Sequence, residues 1–268
     1  MQKVVFLGAG SMAEALIGGW IEKSCVLPEQ IYVTNRSDQE RLQYLNNKYG
    51  VKILSSLSHI QDADLLILAM KPKDVQTAME SLQPYISKDT AILSVLAGIA
   101  IETIGQGLGN RPIARVMPNT SATIGMSASG ISFNERVSDK QKQDYIKMLD
   151  AIGLVIEVDE DQLHAVTALS GSGPAYLYYL IEAFEKAGTE FGLTKEVVRQ
   201  LMVQTIAGSA AMLQAINEEP DELRRKVTSP GGTTEAGIRA LEENHFNETI
   251  SACVKSAEAR SRELAKGI

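Results

Sequence analysis

Apolar positions in the first half of the chain come in short continuous runs, each giving way to a helical period. Residues 3–8, KVVFLG, form such a run, and GAGSMAEALIGGWIEK then passes at once into helical periodicity. A run with no polar face is the pattern of a parallel strand covered on both sides. Further runs follow at 31–34 (IYVT), 51–54 (VKIL), 64–69 (DLLILA), 90–95 (TAILSV) and 112–117 (PIARVM), with helical stretches between them. Strands alternating with helices predict a doubly wound α/β sheet.

The second half reads differently. After a last strand candidate near LVIEVD, the acidic stretch EVDEDQ at 157–162 marks a boundary, and the pattern is helical to the end. Domains at 1–159 and 160–268 are therefore expected. Residues 161–191 predict a long helix broken at SGSGPAY, 170–176, where Pro174 lacks an N–H and must kink a helix or begin one. The next helix, 194–216, has Thr194 as its cap with Lys195 and Glu196 in its first turn, then runs apolar or small on nearly every face. A helical domain of about 105 residues cannot enclose such a helix alone, so a second copy of the chain is expected to cover it.

Composition narrows the function. The 268 residues are 44 % hydrophobic and 22 % charged, enough apolar material for two modest cores. The net charge of −7 is spread along the chain and offers no basic stripe or polybasic patch, so nucleic acid and membrane are not expected partners. Cys25 and Cys253 lie far apart, as do His59, His164 and His245, which gives no metal-ligand spacing. No signal-peptide core precedes the first strand and no run reaches the roughly 20 apolar residues of a membrane span. A soluble cytoplasmic protein with reduced thiols is expected.

The first strand ends in Gly8 and Gly10, followed by Ala13, a GxGxxA turn between strand and helix. Gly8 permits the tight turn, Gly10 lets backbone approach a pyrophosphate, and Ala13 lets the helix pack closely. Ser11 and Met12 open that helix and aim free N–H groups and its positive end at the same place. This is a Rossmann-type nucleotide site, in which ligands lie at the carboxyl ends of the strands. Those ends carry Asn35, Arg36 and Ser37; Ser56; Ala69, Met70, Lys71 and Pro72; Ala97; and Asn119. Many NAD sites place an acidic residue after the second strand, whereas Arg36 here offers a planar fork suited to a 2′-phosphate, flanked by Asn35 and Ser37. NADPH is the expected cofactor, with NADH a second choice. A solvated loop arginine remains the plain alternative, as does a capping role for Ser55 and Ser56.

The stretch VTSPGGTTEAG, 227–237, places a turn at Pro230, Gly231 and Gly232 before a helix opened by Thr233, Thr234 and Glu235. Free N–H groups there, with the hydroxyls of Ser229, Thr233 and Thr234, suit a carboxylate; an ordinary capped turn fits the same spacing.

Pro220, Leu223, Val227, Thr228, Ser229, Gly231, Gly232, Thr234, Gly237, Ile238, Leu241 and Glu242 form one long gapped pattern. With MKP, RVMPNT and SGSGPAY, it resembles the pyrroline-5-carboxylate reductases over essentially the whole chain. Ser56 departs from it, standing where many members carry Asn. The resemblance implies reduction of L-1-pyrroline-5-carboxylate to L-proline by NADPH or NADH, the last step of proline biosynthesis. It also implies that residues 229–234 hold the substrate carboxylate, that Asn119 faces the substrate, and that the Thr234 hydroxyl approaches the ring nitrogen as the catalytic group. By the same resemblance the helical domain dimerises, and the homodimers can build rings as large as a decamer of dimers. Hydroxyacid dehydrogenases share the nucleotide unit but use a lysine soon after a glycine-rich helix start. No lysine follows SGSGP before Lys186. A non-catalytic NADPH sensor is the other reading, against which the intact SPGGTT stands.

Overall fold

The computed structural model describes residues 1–266. The apolar runs form strands β1 (Val4–Leu7), β2 (Ile31–Thr34), β3 (Lys52–Ile53), β4 (Leu65–Leu68), β5 (Ala91–Ser94) and β6 (Ile113–Met117). With β7 (Ser127–Phe133) and β8 (Gly153–Glu157) they make one sheet in the order β3-β2-β1-β4-β5-β6-β7-β8. Pairing is parallel from β3 to β6, antiparallel between β6 and β7, and parallel again between β7 and β8. The doubly wound sheet expected from the pattern is thus extended by two strands of opposite direction.

Alternate residues of each central strand feed opposite layers. Val4 and Phe6 join the core under α1 (Ser11–Glu22), α2 (Gln39–Tyr49) and α5 (Asp139–Leu149); Val5 and Leu7 join the core under α3 (Val75–Leu82) and α4 (Ile101–Leu108). Both faces are therefore dry, and each buried Leu, Ile or Phe adds about 1.5–3 kcal/mol. Trp20 of α1 is fully buried with its ring centroid 5.4 Å from that of Phe6.

β7 is the strand that the hydrophobic pattern does not announce. Its sequence, SASGISF, is small and polar, yet Ser127, Ser129 and Ser132 are all buried. Ser127 Oγ and Ser129 Oγ are 3.0 Å apart and Ser127 Oγ accepts from Asn119 N, so their polar atoms are satisfied inside the sheet. A Cβ on Gly130 would lie 2.9 Å from Val166 and 3.1 Å from Leu163, so this position is bare because α6 (Leu163–Val166) lies on it.

The break expected at SGSGPAY is present, and of the two roles open to Pro174 it begins a helix and does not kink one. A π-turn over Thr167–Gly171 widens the helix before Pro174 is reached, closed by Ser172 N donating to Thr167 O at 2.8 Å. Pro174 then sits in the first turn of α7 (Gly173–Glu190), where a missing N–H costs nothing. α8 (Lys195–Ala215), α9 (Pro220–Lys226), α10 (Thr233–Glu243) and α11 (Phe246–Lys266) follow, and Thr194 caps α8 through Val197 N as expected.

Packing divides the chain into a unit of Met1–Pro174 joined by the chain from Ser256, and a unit of Ala175–Lys255. The first unit runs past the acidic stretch because α6 lies against β7 and because the end of α11 returns to it. Arg262 holds Asp161 through two bonds of 2.6 and 2.8 Å, and His164 Nδ1 meets Ser261 Oγ at 2.8 Å. The second unit leaves large apolar side chains exposed on α7 and α8: Tyr178, Tyr179, Leu201 and Val203 among them, with only Val198 of α8 buried. Among the described residues no helix is long and apolar enough to cross a membrane.

Candidate active site

The glycine turn after β1 is built into the sheet. Gly8 has φ +105°, Gly8 N donates to Thr34 O at 2.8 Å, and a Cβ there would lie 2.3 Å from Ala69 O. No other residue fits that position. Gly10 is the contrary case: it caps α1 with no side-chain hydrogen bond, and nothing lies within 4 Å of where its Cβ would be. Its open side stands beside the unpaired first-turn N–H groups of α1, Ser11 and Met12 among them, which is the cradle an anionic pyrophosphate requires.

Strands β1, β2, β4 and β5 run parallel, so their carboxyl ends share one edge of the sheet. Asn35 does not project freely: its Oδ1 accepts from Asp38 N at 2.9 Å and its Nδ2 donates to Asp38 O at 2.7 Å, closing the loop before α2. That leaves Arg36, whose side chain is 87 % exposed and lies 3.6 Å from Asp74, and the exposed Ser37. A pair so open to water is weak, so the guanidinium is available to another anion. Ala69 and Met70 follow β4 against Gly8, and Lys71, exposed, caps a short turn begun by Pro72. Ala97 is exposed beyond β5. Ser56 Oγ accepts from Ser58 N at 3.3 Å and meets Ser58 Oγ at 2.9 Å, so the capping alternative is the one in place.

Asn119, expected to face substrate, is 9 % exposed and has both ends of its amide engaged. Oδ1 accepts from Ser121 N at 3.1 Å, and Nδ2 donates to Ser170 O at 3.0 Å, tying the end of β6 to the π-turn.

In the second unit, Gly231 has φ +70° and Gly232 N donates to Ser229 O at 2.9 Å, which closes the turn before α10. Gly232 caps that helix without a side chain to do it. Ser229, Thr233 and Thr234 are exposed, and their hydroxyls make no hydrogen bond among the described residues. Gly231 N donates to Glu235 Oε2 at 2.7 Å, so one donor of the turn already faces a carboxylate. The arrangement can take a small anion on the α10 N-terminus and its hydroxyls.

Sequence reasoning missed one residue at the nucleotide turn, Arg41, whose Nε donates to Ala9 O at 2.7 Å. Nothing in the glycine spacing signals it, because its reach depends on how α2 packs. Among the described residues no cluster of His, Cys, Asp and Glu could hold a metal ion.

Residues 160–264 match the family model described as pyrroline-5-carboxylate reductase dimerisation, and residues 3–98 match one described as NADP oxidoreductase coenzyme F420-dependent. The chain is 46 % identical over 269 aligned positions to "Pyrroline-5-carboxylate reductase 2" of Bacillus subtilis, covering 98 % of this chain and 95 % of that one. The chain belongs to the pyrroline-5-carboxylate reductase family. Its fold is that of the pyrroline-5-carboxylate reductase structure from Coxiella burnetii, at TM-score 0.92 and 36 % identity over 98 % of both chains. The Plasmodium falciparum pyrroline carboxylate reductase, solved with NADP bound, superposes at TM-score 0.87 with 28 % identity over 98 % of each chain. Membership makes the chain an oxidoreductase that reduces pyrroline-5-carboxylate.

Proposed function

We propose that the chain reduces L-1-pyrroline-5-carboxylate to L-proline with NADPH in preference to NADH, as a cytoplasmic homodimer. The observation that carries the cofactor half is the open space at Gly10 beside the α1 N-terminus. Ser11 and Met12 N–H groups hold the pyrophosphate, Arg36 and Ser37 meet a 2′-phosphate, and Ala69 to Pro72 with Ala97 border the cofactor. The dinucleotide, when bound, supplies a hydride. What the chain must add is orientation, because a protonated cyclic imine already carries its proton at nitrogen and is electron-poor at carbon. No strong base is needed, which agrees with a loop bearing hydroxyls and no histidine or lysine.

Ser229, Gly231, Gly232 and Thr233 hold the substrate carboxylate, and the Thr234 hydroxyl either orients the ring nitrogen or relays to an unprotonated one a proton taken up from solvent water. Asn119, with its amide engaged, is a strut between β6 and the π-turn. Residues 160–268 form the dimer. The exposed apolar faces of α7 and α8 and the match to a dimerisation family support this. Rings as large as a decamer of dimers are the further assembly open to it.

The test is the loss of NADPH absorbance on adding pyrroline-5-carboxylate, repeated with NADH and paired with cofactor titrations. We expect turnover with both and a higher kcat/KM with NADPH. Binding of NADPH without substrate-dependent oxidation overturns the enzyme reading in favour of a sensor; equal kcat/KM values overturn the preference.

A further inference from the structure

Arg41 enters α2 one turn after its cap, with Arg41 N donating to Asp38 Oδ1 at 2.8 Å. That start sends its side chain back across the glycine turn. Nε donates to Ala9 O at 2.7 Å and Nη2 to Glu14 Oε2 at 2.5 Å, while the guanidinium lies 5.0 Å from the centre of the Tyr44 ring. Glu14 Oε1 accepts in turn from Lys48 Nζ at 2.9 Å, Tyr49 OH at 3.0 Å and Tyr44 OH at 3.2 Å. The guanidinium is therefore gripped on three sides, and one of its two hydrogen bonds goes to the backbone of the turn itself.

The carbonyl of Ala9 and the N–H of Gly10 belong to one trans peptide and point in opposite directions. Whatever fixes the carbonyl also aims the N–H. Gly10 has no side chain and nothing lies within 4 Å of its Cβ position, so its own packing does not restrain that plane. A charged donor on the carbonyl also polarises the amide and strengthens its N–H as a donor.

We propose that Arg41 is a positioning residue for the dinucleotide, locking the Ala9–Gly10 peptide so that the Gly10 N–H faces the pyrophosphate. The inference rests on the nucleotide site described above. Because the pyrophosphate is common to both cofactors, Arg41 acts on NADPH and NADH alike, unlike Arg36.

The experiment is a set of binding titrations of Arg41→Ala and Arg41→Lys with NADPH, NADH and adenosine 2′-monophosphate, which carries the 2′-phosphate but no pyrophosphate. Losing a hydrogen bond from a charged donor should weaken both dinucleotides by about tenfold and to the same extent. Adenosine 2′-monophosphate should bind unchanged, and kcat at saturating cofactor should fall by less than about twofold. Arg41→Lys keeps the charge but not the two-pronged reach, so it should recover only part of the loss. If Arg41→Ala does not fold, Glu14→Gln loosens the same anchor and should weaken both dinucleotides by about threefold. Loss of NADPH and adenosine 2′-monophosphate with NADH retained places Arg41 on the 2′-phosphate and overturns the proposal. A lowered melting temperature with all three affinities intact makes the residue merely structural and overturns it too. A wild-type chain that binds neither dinucleotide overturns the site itself, and shows this before any variant is made.

Discussion

The turn at Gly8–Gly10 and the turn at Pro230–Gly232 both end in a glycine-capped helix with free N–H groups, yet they are held in opposite ways. The first is fixed from outside: Thr34 O and Ala69 O meet Gly8, and Arg41 meets Ala9. The second is held by its own few residues, through Gly232 N to Ser229 O and Gly231 N to Glu235, and nothing lies within 4 Å of a Cβ on Gly231. One motif thus gives a cradle whose donors are aimed in advance and a loop that spends its Gly231 and Gly232 donors on its own turn. Preorganisation comes from the neighbours and not from the glycines.

The comparison breaks most sharply at Gly8. Gly8→Ala puts a Cβ against Ala69 O, and should cost about 3 kcal/mol in denaturant unfolding, whereas Gly10→Ala should leave stability within about 0.5 kcal/mol while weakening NADPH. Equal stability losses for the two would erase the distinction drawn between them. Next comes Thr234→Ala, expected to lower kcat by about 10²-fold with NADPH affinity unchanged, as measured by steady-state rates and titration. A drop below threefold would remove the hydroxyl from the chemistry. Glu235→Gln takes a negative charge from beside Gly231, and relief of like-charge repulsion in water should lower the substrate KM by about threefold. A raised KM would show instead that Glu235 shapes the loop for its ligand.

The smallest effect concerns acid. Burial would raise the Glu14 carboxyl, but hydrogen bonds from Lys48, Arg41 and Tyr49 outweigh it and hold the group at about 2, against 4.5 when free. A depressed carboxyl stabilises the fold fully above its unfolded value, and that contribution drains away as pH falls from 4.5 toward 2. Unfolding midpoints followed over this range should slope less in Glu14→Gln than in the wild type.

Legibility followed the distance over which each feature is determined. β1, its glycine turn and α1 were plain because an apolar run, a positive-φ position and a helical period sit within a few residues. β7 was hidden because Gly130 is bare to admit Val166 and Leu163 of α6, far along the chain, and because Ser127 and Ser129 are buried through bonds to each other and to Asn119. The break near SGSGPAY was visible, but Pro174 drew the eye from the π-turn ahead of it. At the site, residue types marked the region and hydrogen bonds decided the rest: Asn35 and Ser56 are held in local turns, Asn119 is tied to Ser170, and Arg41 reaches Ala9 from a helix with no motif of its own.

The return of α11 bears on how the protein is made. Asp161 waits for Arg262, 101 residues later, and His164 for Ser261, 97 residues later. The nucleotide-binding half, translated before α11, must therefore hold part of its surface open while the residues between Asp161 and Arg262 are made. Its folding is finished by α11, which couples the maturation of the two halves in time.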